Sequence, residues 1–420
     1  MLLVQEFLKT HTFRQLAEQF GVYASFAKSG YKFSLNYDQI ESKESDVLAQ
    51  QCRGLVLSTV DGHSLSSQAI EVDGRLRYDD ICPGETAILA YPMDRFFNKG
   101  QGAAAKIDWN DPNISILEKL DGTLTIVYFD KFSKQWCVAT RSVPEADLII
   151  DMGVYTFRTL FEKALKDTLS LDFDMFTTSL VKDMTYCFEL TTPYNRIVVK
   201  YDDFKITLLS VRYIPTLKEL DPSQLAIVLI GKVPCVHAYT YTSIDDILKW
   251  VSDQNPLEHE GVVVRDSNYN RIKIKNAAYV ALNRTREILS ASDRNILDLI
   301  FQEKDDDVLP MLSPEIANKL QKMKKDTQDI IKLYDEIYFK VGDMADSIMP
   351  GDKKTFALTV NSLANEYKLN NKKLWAAPLF QIFGGKAKNM KDFIQKNRNK
   401  DGHWSNGFLD IFLELSNTLS

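Results

Sequence analysis

Leu117-Glu118-Lys119-Leu120-Asp121-Gly122-Thr123 closes one apolar run, Ile114-Ser115-Ile116-Leu117, and opens another, Leu124-Thr125-Ile126-Val127-Tyr128-Phe129. Short apolar or alternating runs bounded by turn residues read as strands. The stretch therefore predicts a lysine at the end of a strand, immediately before a turn. Similar runs recur between Gln51 and Lys275: Gly54 to Ser58, Phe204 to Val211, and Gly261 to Val264. One helical insertion is expected at about Pro144 to Leu169, where Ile149, Tyr155, Phe157, Leu160 and Phe161 would share a face. The reading is an α+β domain built on antiparallel strands.

After Lys275 the period changes. Ala277 to Ser290, Asp293 to Gln302, Pro314 to Val341, Lys354 to Tyr367 and Lys388 to Arg398 read as helices. In the third of these, Leu320, Met323, Thr327, Ile330, Tyr334, Ile337 and Val341 alternate three- and four-residue steps and make one bundle-core stripe. Turns are expected at Pro350-Gly351-Asp352 and at Gly384-Gly385, the latter ending a helix. The division expected is residues 1–285 as the strand-rich domain and 286–420 as an all-helical C-terminal domain.

The 420 residues, 45% hydrophobic and 26% charged, suit a globular protein with more than one domain. No apolar run approaches the ~20 residues needed to span a bilayer, and Met1 to Phe20 reads as an amphipathic helix with no basic front, so a cytoplasmic protein is expected, in the host cytoplasm if viral. Five cysteines (Cys52, Cys82, Cys137, Cys187, Cys235) lack metal-site or disulfide-framework spacing and are expected to be free and mostly buried. A net charge of −6 argues against indiscriminate coating of nucleic acid. Locally, Lys372 to Lys400 carries eight Lys/Arg and one acid, Asp392, a strip suited either to phosphates or to solvent.

Lys119 gains meaning from four other segments: Arg53-Gly54, Glu189, Glu260-Gly261 and Lys273-Ile274-Lys275. An amine attacking a nucleoside triphosphate at its α-phosphate must be neutral at that moment, which neighbouring cations and a metal ion favour. Lys273 and Lys275, two apart on a strand, share a face and could hold the α-phosphoryl oxygens. Arg53 offers a planar fork for the departing pyrophosphate. Glu189 and Glu260, at the borders of apolar strands, could hold a metal and the ribose hydroxyls. Singly, each could be a turn, edge-strand or surface-pair residue.

In that order, the segments resemble those of ATP-dependent RNA ligases of the RNA ligase 1 family, typified by the T-even phage enzyme, within the covalent nucleotidyltransferase superfamily. Gln51-Cys52-Arg53-Gly54 is similar to the family's C-R-G segment, and Pro92-Met93-Asp94-Arg95-Phe96-Phe97-Asn98 to its P-M-x-K-F-F-N segment. Phe188-Glu189 with Pro193, Asn195, Arg196, Ile197 and Val198 resembles the third motif, and Lys205 to Arg212 the strand after it. Glu260-Gly261, Lys273-Ile274-Lys275 and Tyr279 complete the set. The resemblance runs from about Phe33 to Tyr279.

It implies Lys119 as the adenylated nucleophile, with Lys273, Lys275, Glu189 and Glu260 in catalysis. It implies Arg53, Arg95, Phe97, Gly122, Arg141, Glu189, Lys273, Lys275 and Tyr279 around ATP. Arg95 and Arg141 stand where the family has lysine. Phe97 either walls the nucleotide or is plain core; Tyr279 either reaches the phosphates or is a helix-core tyrosine. Leu35 stands where the family has a nucleotide-contacting tyrosine, for which Tyr37 could substitute. Glu260 and Asp306, within Asp305-Asp306-Asp307, are the metal candidates, for Mg²⁺ or Mn²⁺. The implied reaction joins RNA 5′-phosphate and 3′-hydroxyl ends, in tRNA or single-stranded RNA repair, with the helical domain as a specificity module. A DNA ligase or capping guanylyltransferase shares the core but appends a β-barrel after the paired lysines; a non-catalytic RNA binder keeps the fold alone.

Overall fold

Alternation in Leu124-Thr125-Ile126-Val127-Tyr128 sends its side chains to two different cores. In the computed structural model, Leu124, Ile126 and Tyr128 pack with Val56, Leu89, Ala90 and Met93, while Val127 packs with Leu160, Phe161, Ala164 and Leu165. The strand Thr123–Asp130 is thus covered on both faces, by another sheet on one and by the helix Phe157–Leu169 on the other. The structure describes all residues except 39–40, 73–74, 148, 151–154, 230–231, 242, 302–311, 313, 345–352, 367–371, 399–403, 405 and 420.

Three sheets build the N-terminal part. The first orders Val22–Phe26, Lys32–Tyr37, Arg53–Thr59 and Thr86–Ala90, all antiparallel. The second orders Gln135–Thr140, Thr123–Asp130, Met184–Thr191, Lys205–Tyr213 and Lys218–Leu220, also antiparallel. The third orders Ala238–Tyr239, Ser115–Glu118, Gly261–Arg265, Arg271–Lys275 and Phe97–Asn98, the last pair parallel. Residues 119–122 pass from the third sheet to the second.

Two compact units are present, Met1–Val280 and Ala281–Ser420. The partition falls inside the helix Ala277–Ala291, a few residues before the expected 285/286 border. The regular elements described in the second unit beyond that helix are all helices: Asp293–Phe301, Pro314–Met344, Lys353–Glu366, Lys372–Phe383, Met390–Lys396 and Asn406–Leu419. Leu320, Thr327, Ile330, Tyr334 and Ile337 of the expected stripe are all buried. At Gly384-Gly385 the amides of Lys386 and Gly385 return to carbonyls of the preceding helix, and Gly385 has φ +73°, a left-handed helix stop. The expected turn at 350–352 lies outside the described residues.

Three expected helices are shorter than their patterns; of Lys388 to Arg398, the helix takes Met390–Lys396. Met1 to Phe20 divides into Leu3–Leu8 and Phe13–Phe20, because Thr12 and Gln15 form a reciprocal cap that starts a new helix. Among the described residues of Pro144 to Leu169, the helix takes Phe157–Leu169. Thr156 caps that helix, and Tyr155–Thr156 pairs with Ile149–Ile150 as a short hairpin. The extended pairing there takes the place of the helical spacing. All five cysteines are free; Cys52 and Cys187 are buried, Cys137 and Cys235 half-buried and Cys82 exposed. Among the described residues, no helix is long and apolar enough to cross a membrane.

Candidate active site

Asp121 is the fixed point of the nucleophile loop. Its carboxylate is 3% exposed and accepts hydrogen bonds from the amides of Val198 and Val199, both 2.8 Å, and from the Tyr279 hydroxyl at 2.6 Å. Its own amide donates to the Tyr201 hydroxyl at 3.1 Å. Buried carboxylates persist only when their oxygens are supplied with donors, and here three donors come from two remote segments. Gly122 follows because nothing larger fits. A Cβ there would lie 2.4 Å from the Leu190 carbonyl oxygen, and the Gly122 amide donates to Glu189 Oε1 at 3.0 Å.

Lys119 is held by backbone and side chain alike. Its amide donates to the Gly261 carbonyl at 2.9 Å, and its Nζ lies 2.6 Å from Glu260 Oε2. The register pairs Gly261 with Lys275 and Val263 with Lys273, so both lysines of Arg271–Lys275 lie across Gly261–Arg265 from the nucleophile strand, two strands away. Lys275 Nζ is 2.7 Å from the second oxygen of Glu260. One carboxylate, 3% exposed, thus bridges two ammonium groups. Gly261 at φ +144° is required here, since a Cβ would sit 2.2 Å from the Ile274 carbonyl.

Lys273 and Arg53 complete the cluster over one ring. Lys273 Nζ is 4.7 Å and the Arg53 guanidinium carbon 5.4 Å from the centroid of Phe96. Burial, reinforced by Arg53, Lys119 and Lys275, pulls the Lys273 ammonium down to about 6. Burial pushes the Glu189 carboxyl up to about 7, opposed by Lys119 and raised further by Glu260. Burial also lowers Arg53, with Arg141 adding to the effect. Arg53 Nη1 is buried and has no hydrogen-bond partner among the described residues. Four basic groups against two carboxylates, one of them easily protonated, make a pocket short of negative charge. A polyphosphate fits it, because it would satisfy the orphaned guanidinium nitrogen and restore the charge on Lys273.

Arg95 and Arg141 lie beside this pocket on a shared aromatic. Arg95 stacks 4.1 Å from the Tyr37 centroid and 5.1 Å from Phe97, and its Nη1 donates to Ser42 Oγ at 2.7 Å. Arg141 lies 5.8 Å from the same Tyr37 ring. Leu35 is fully buried in the core of the first sheet, whereas Tyr37 is the aromatic near the arginines. Phe97 is buried beneath Arg95, and Phe96 carries the two pocket cations. Sequence reasoning singled out Phe97 and missed Phe96. The signal available was strand alternation, which puts the two rings on opposite faces. Tyr279 departs from the phosphate-contact alternative: its hydroxyl is given to Asp121, and it is 2% exposed. Among the described residues no group of three or more His, Cys, Asp or Glu side chains could hold a metal. Glu189 and Glu260 are the carboxylates in the pocket, and Asp306 lies outside the described residues.

A family model described as RNA ligase matches residues 51–279. An RNA ligase of Rhodothermus phage RM378 is 25% identical over 330 residues, covering 64% of this chain and 74% of that protein. A putative bifunctional polynucleotide kinase/RNA ligase of Autographa californica nuclear polyhedrosis virus is 25% identical over 323 residues, covering 74% of this chain. The match spans 42% of that longer protein. Among solved structures, an archaeal ATP-dependent RNA ligase superposes with TM-score 0.40 at 14% identity, over 66% of this chain and 63% of that one. A mutant Naegleria gruberi RNA ligase with ATP and Mn gives TM-score 0.32 at 12% identity, over 62% of this chain and 93% of that one. Such scores add no weight to the reading of individual site residues.

Proposed function

The chain belongs to the RNA ligase family, and on that premise we propose that it joins RNA 5′-phosphate and 3′-hydroxyl ends at the expense of ATP, with Lys119 as the nucleophile. The observation that carries this reading is Glu260 bridging Lys119 and Lys275 while Arg53, Lys273 and Glu189 close around the same point.

Lys119 Nζ, freed of its proton, attacks the α-phosphorus of ATP; a nitrogen–phosphorus bond forms, the bond to the bridging oxygen breaks, and pyrophosphate leaves. Arg53 and Arg95 hold the departing phosphates. Lys273 and Lys275 neutralise charge on the α-phosphoryl oxygens as it develops. An RNA 5′-phosphate oxygen then attacks the same phosphorus, and Lys119 recovers its proton as the nitrogen–phosphorus bond breaks. In the last step the 3′-hydroxyl attacks the activated 5′-phosphorus, and AMP departs. A divalent cation, Mg²⁺ or Mn²⁺, would be held by Glu260 and Glu189 and supplies charge neutralisation at the phosphates.

Glu189 and Lys273 give this reading a pH signature. A lysine lowered to about 6 is largely neutral at pH 7.5, and a phosphate beside it favours the charged form. ATP binding at pH 7.5 should therefore take up a proton, seen by calorimetry in buffers of different ionisation enthalpy. Lys273→Met should lose most of that uptake, and equal uptake in both proteins would refute the placement. The sign for stability is opposite. The folded pKa is depressed, so stability present above the ordinary lysine range is lost as pH falls toward about 6. Nucleotide-free Lys273→Met should accordingly melt above the parent at pH 6–8.

The helical unit is proposed to select the RNA. Lys386, Lys388, Lys391, Lys396 and Arg398 are exposed there, a spacing of cations suited to phosphates. Strands end at Lys275 among the described residues, which disfavours the β-barrel-bearing DNA ligases and capping enzymes. The deciding experiment is incubation with α-labelled ATP and Mg²⁺, then addition of 5′-phosphorylated RNA as a single strand or a nicked tRNA loop. Label should pass from protein to RNA, and joining of the tRNA should drop more than that of the unstructured strand when Lys386, Lys388 and Lys391 become glutamates. An unlabelled protein overturns the ligase reading; equal drops overturn the selection role; preference for GTP or DNA ends favours the sister enzymes.

A further inference from the structure

A second concave site lies away from the nucleotide pocket. Between the helix Phe13–Phe20, the edge strand Val22–Phe26 and the hairpin Ile70–Val72/Arg75–Arg77 runs an open groove of about 920 Å³. Its floor carries Phe26 and Tyr78, stacked with centroids 3.7 Å apart; Tyr23, at the rim on the edge strand, is 48% exposed and gives its hydroxyl to Glu41. Its walls carry four cations, Arg14, Lys28, Arg75 and Arg77, against Glu18 and Asp79, with Asp80 beside Arg14 and Glu41 beside Tyr23. Arg14 is engaged with Asp80. Lys28, Arg75 and Arg77 are exposed, with no ion-pair partner among the described residues.

The hairpin supplies no buried side chain from its strands. Its strands pair only with each other among the described residues, and every residue in them is exposed, Ile70, Val72 and Leu76 included. Two-stranded hairpins are marginal on their own in water. Exposed apolar side chains beside unpaired arginines suit a partner that is both anionic and ring-bearing. Register ties the groove to the pocket: Tyr23 pairs with Asn36, and Asn36 with Arg53. Two strand spacings, roughly 10 Å, separate the groove wall from the pocket arginine.

We propose that this groove holds a single-stranded stretch of the RNA substrate, its phosphates against Lys28, Arg75 and Arg77 and its bases on the Tyr23 and Tyr78 rings. The proposal rests on the RNA ligase reading for the identity of the polyanion. Cations that each neutralise one phosphate leave a mark in salt dependence, with a slope near −0.7 per phosphate for single strands.

The test is the affinity of the full chain for a 5′-phosphorylated single-stranded RNA across a salt series, with Arg75→Glu/Arg77→Glu as the variant and ATP self-labelling as the control. Affinity should fall about ten-fold and the slope by about 1.4, with self-labelling unchanged. Should the double variant also lose self-labelling, Lys28→Glu on the opposite wall decides by the same two readings. RNA carrying 4-thiouridine should crosslink to the peptide containing Tyr78. Unchanged affinity and slope overturn the proposal, and so does loss of self-association in place of RNA binding, the sign of a second copy of this chain as the occupant. A wild-type chain that fails to self-label defeats the ligase reading separately, while affinity and slope still decide the groove.

Discussion

Lys119→Ala should abolish protein labelling from α-labelled ATP, and with it the joining of unactivated RNA ends. The effect is complete because the pocket offers no substitute amine. Lys275 is drawn to the far oxygen of Glu260, and Lys273 stands over the Phe96 ring. Sealing of RNA that already carries 5′-adenylate makes no bond to Lys119, so that step should survive, reduced by about a hundred-fold at most, the lower end of what one lost electrostatic contact costs. The contrast separates a nucleophile from a phosphate contact. A Lys119→Ala protein that still acquires label, or one whose sealing of pre-adenylated RNA vanishes along with labelling, would remove Lys119 from the covalent role.

The pocket could be read from sequence because strand alternation is a local rule with consequences at a distance. Lys273 and Lys275 must share a face whatever the register, and Glu260-Gly261 must precede a strand that can receive them. The same rule left two matters open. Alternation places Phe96 and Phe97 on opposite faces but does not say which face is the pocket; the parallel pairing of Phe97 with Ile272 decides it. Asp121 reads as part of a turn, whereas its role depends on Val198, Val199 and Tyr279, which lie about 80 and 160 residues away. Tyr279 could not be placed for that reason. A tyrosine that buries its hydroxyl needs a partner, and only the fold discloses that Asp121 is the partner. The hairpin Ile70–Val72/Arg75–Arg77 escaped notice because its three-residue strands are too short to carry a period.

Glu260 should be the most sensitive residue after Lys119. Its carboxylate is almost wholly enclosed, and each oxygen holds one ammonium, at 2.6 and 2.7 Å. Two effects of Glu260→Ala oppose each other. Losing the carboxylate makes a neutral Lys119 easier to reach, which favours attack. It also leaves Lys119, Lys275, Lys273 and Arg53 facing one another with Glu189 as the remaining carboxylate, removes a metal ligand candidate and releases Lys119 from its aim. Positioning and charge compensation together are worth about a hundred- to a thousand-fold in rate. A change in amine basicity recovers much less, because a less basic amine is also a weaker nucleophile. Single-turnover labelling at saturating ATP should therefore fall by about a hundred-fold or more. Glu260→Gln should fare little better, since its amide can accept from one lysine only by turning donor hydrogens toward the other. Glu260→Asp keeps the charge, and at high Mg²⁺ it should recover more than the glutamine. Labelling at the full rate in Glu260→Ala, or a glutamine variant superior to the aspartate, would mean that the bridge between the two lysines stabilises the empty pocket and takes no part in the reaction.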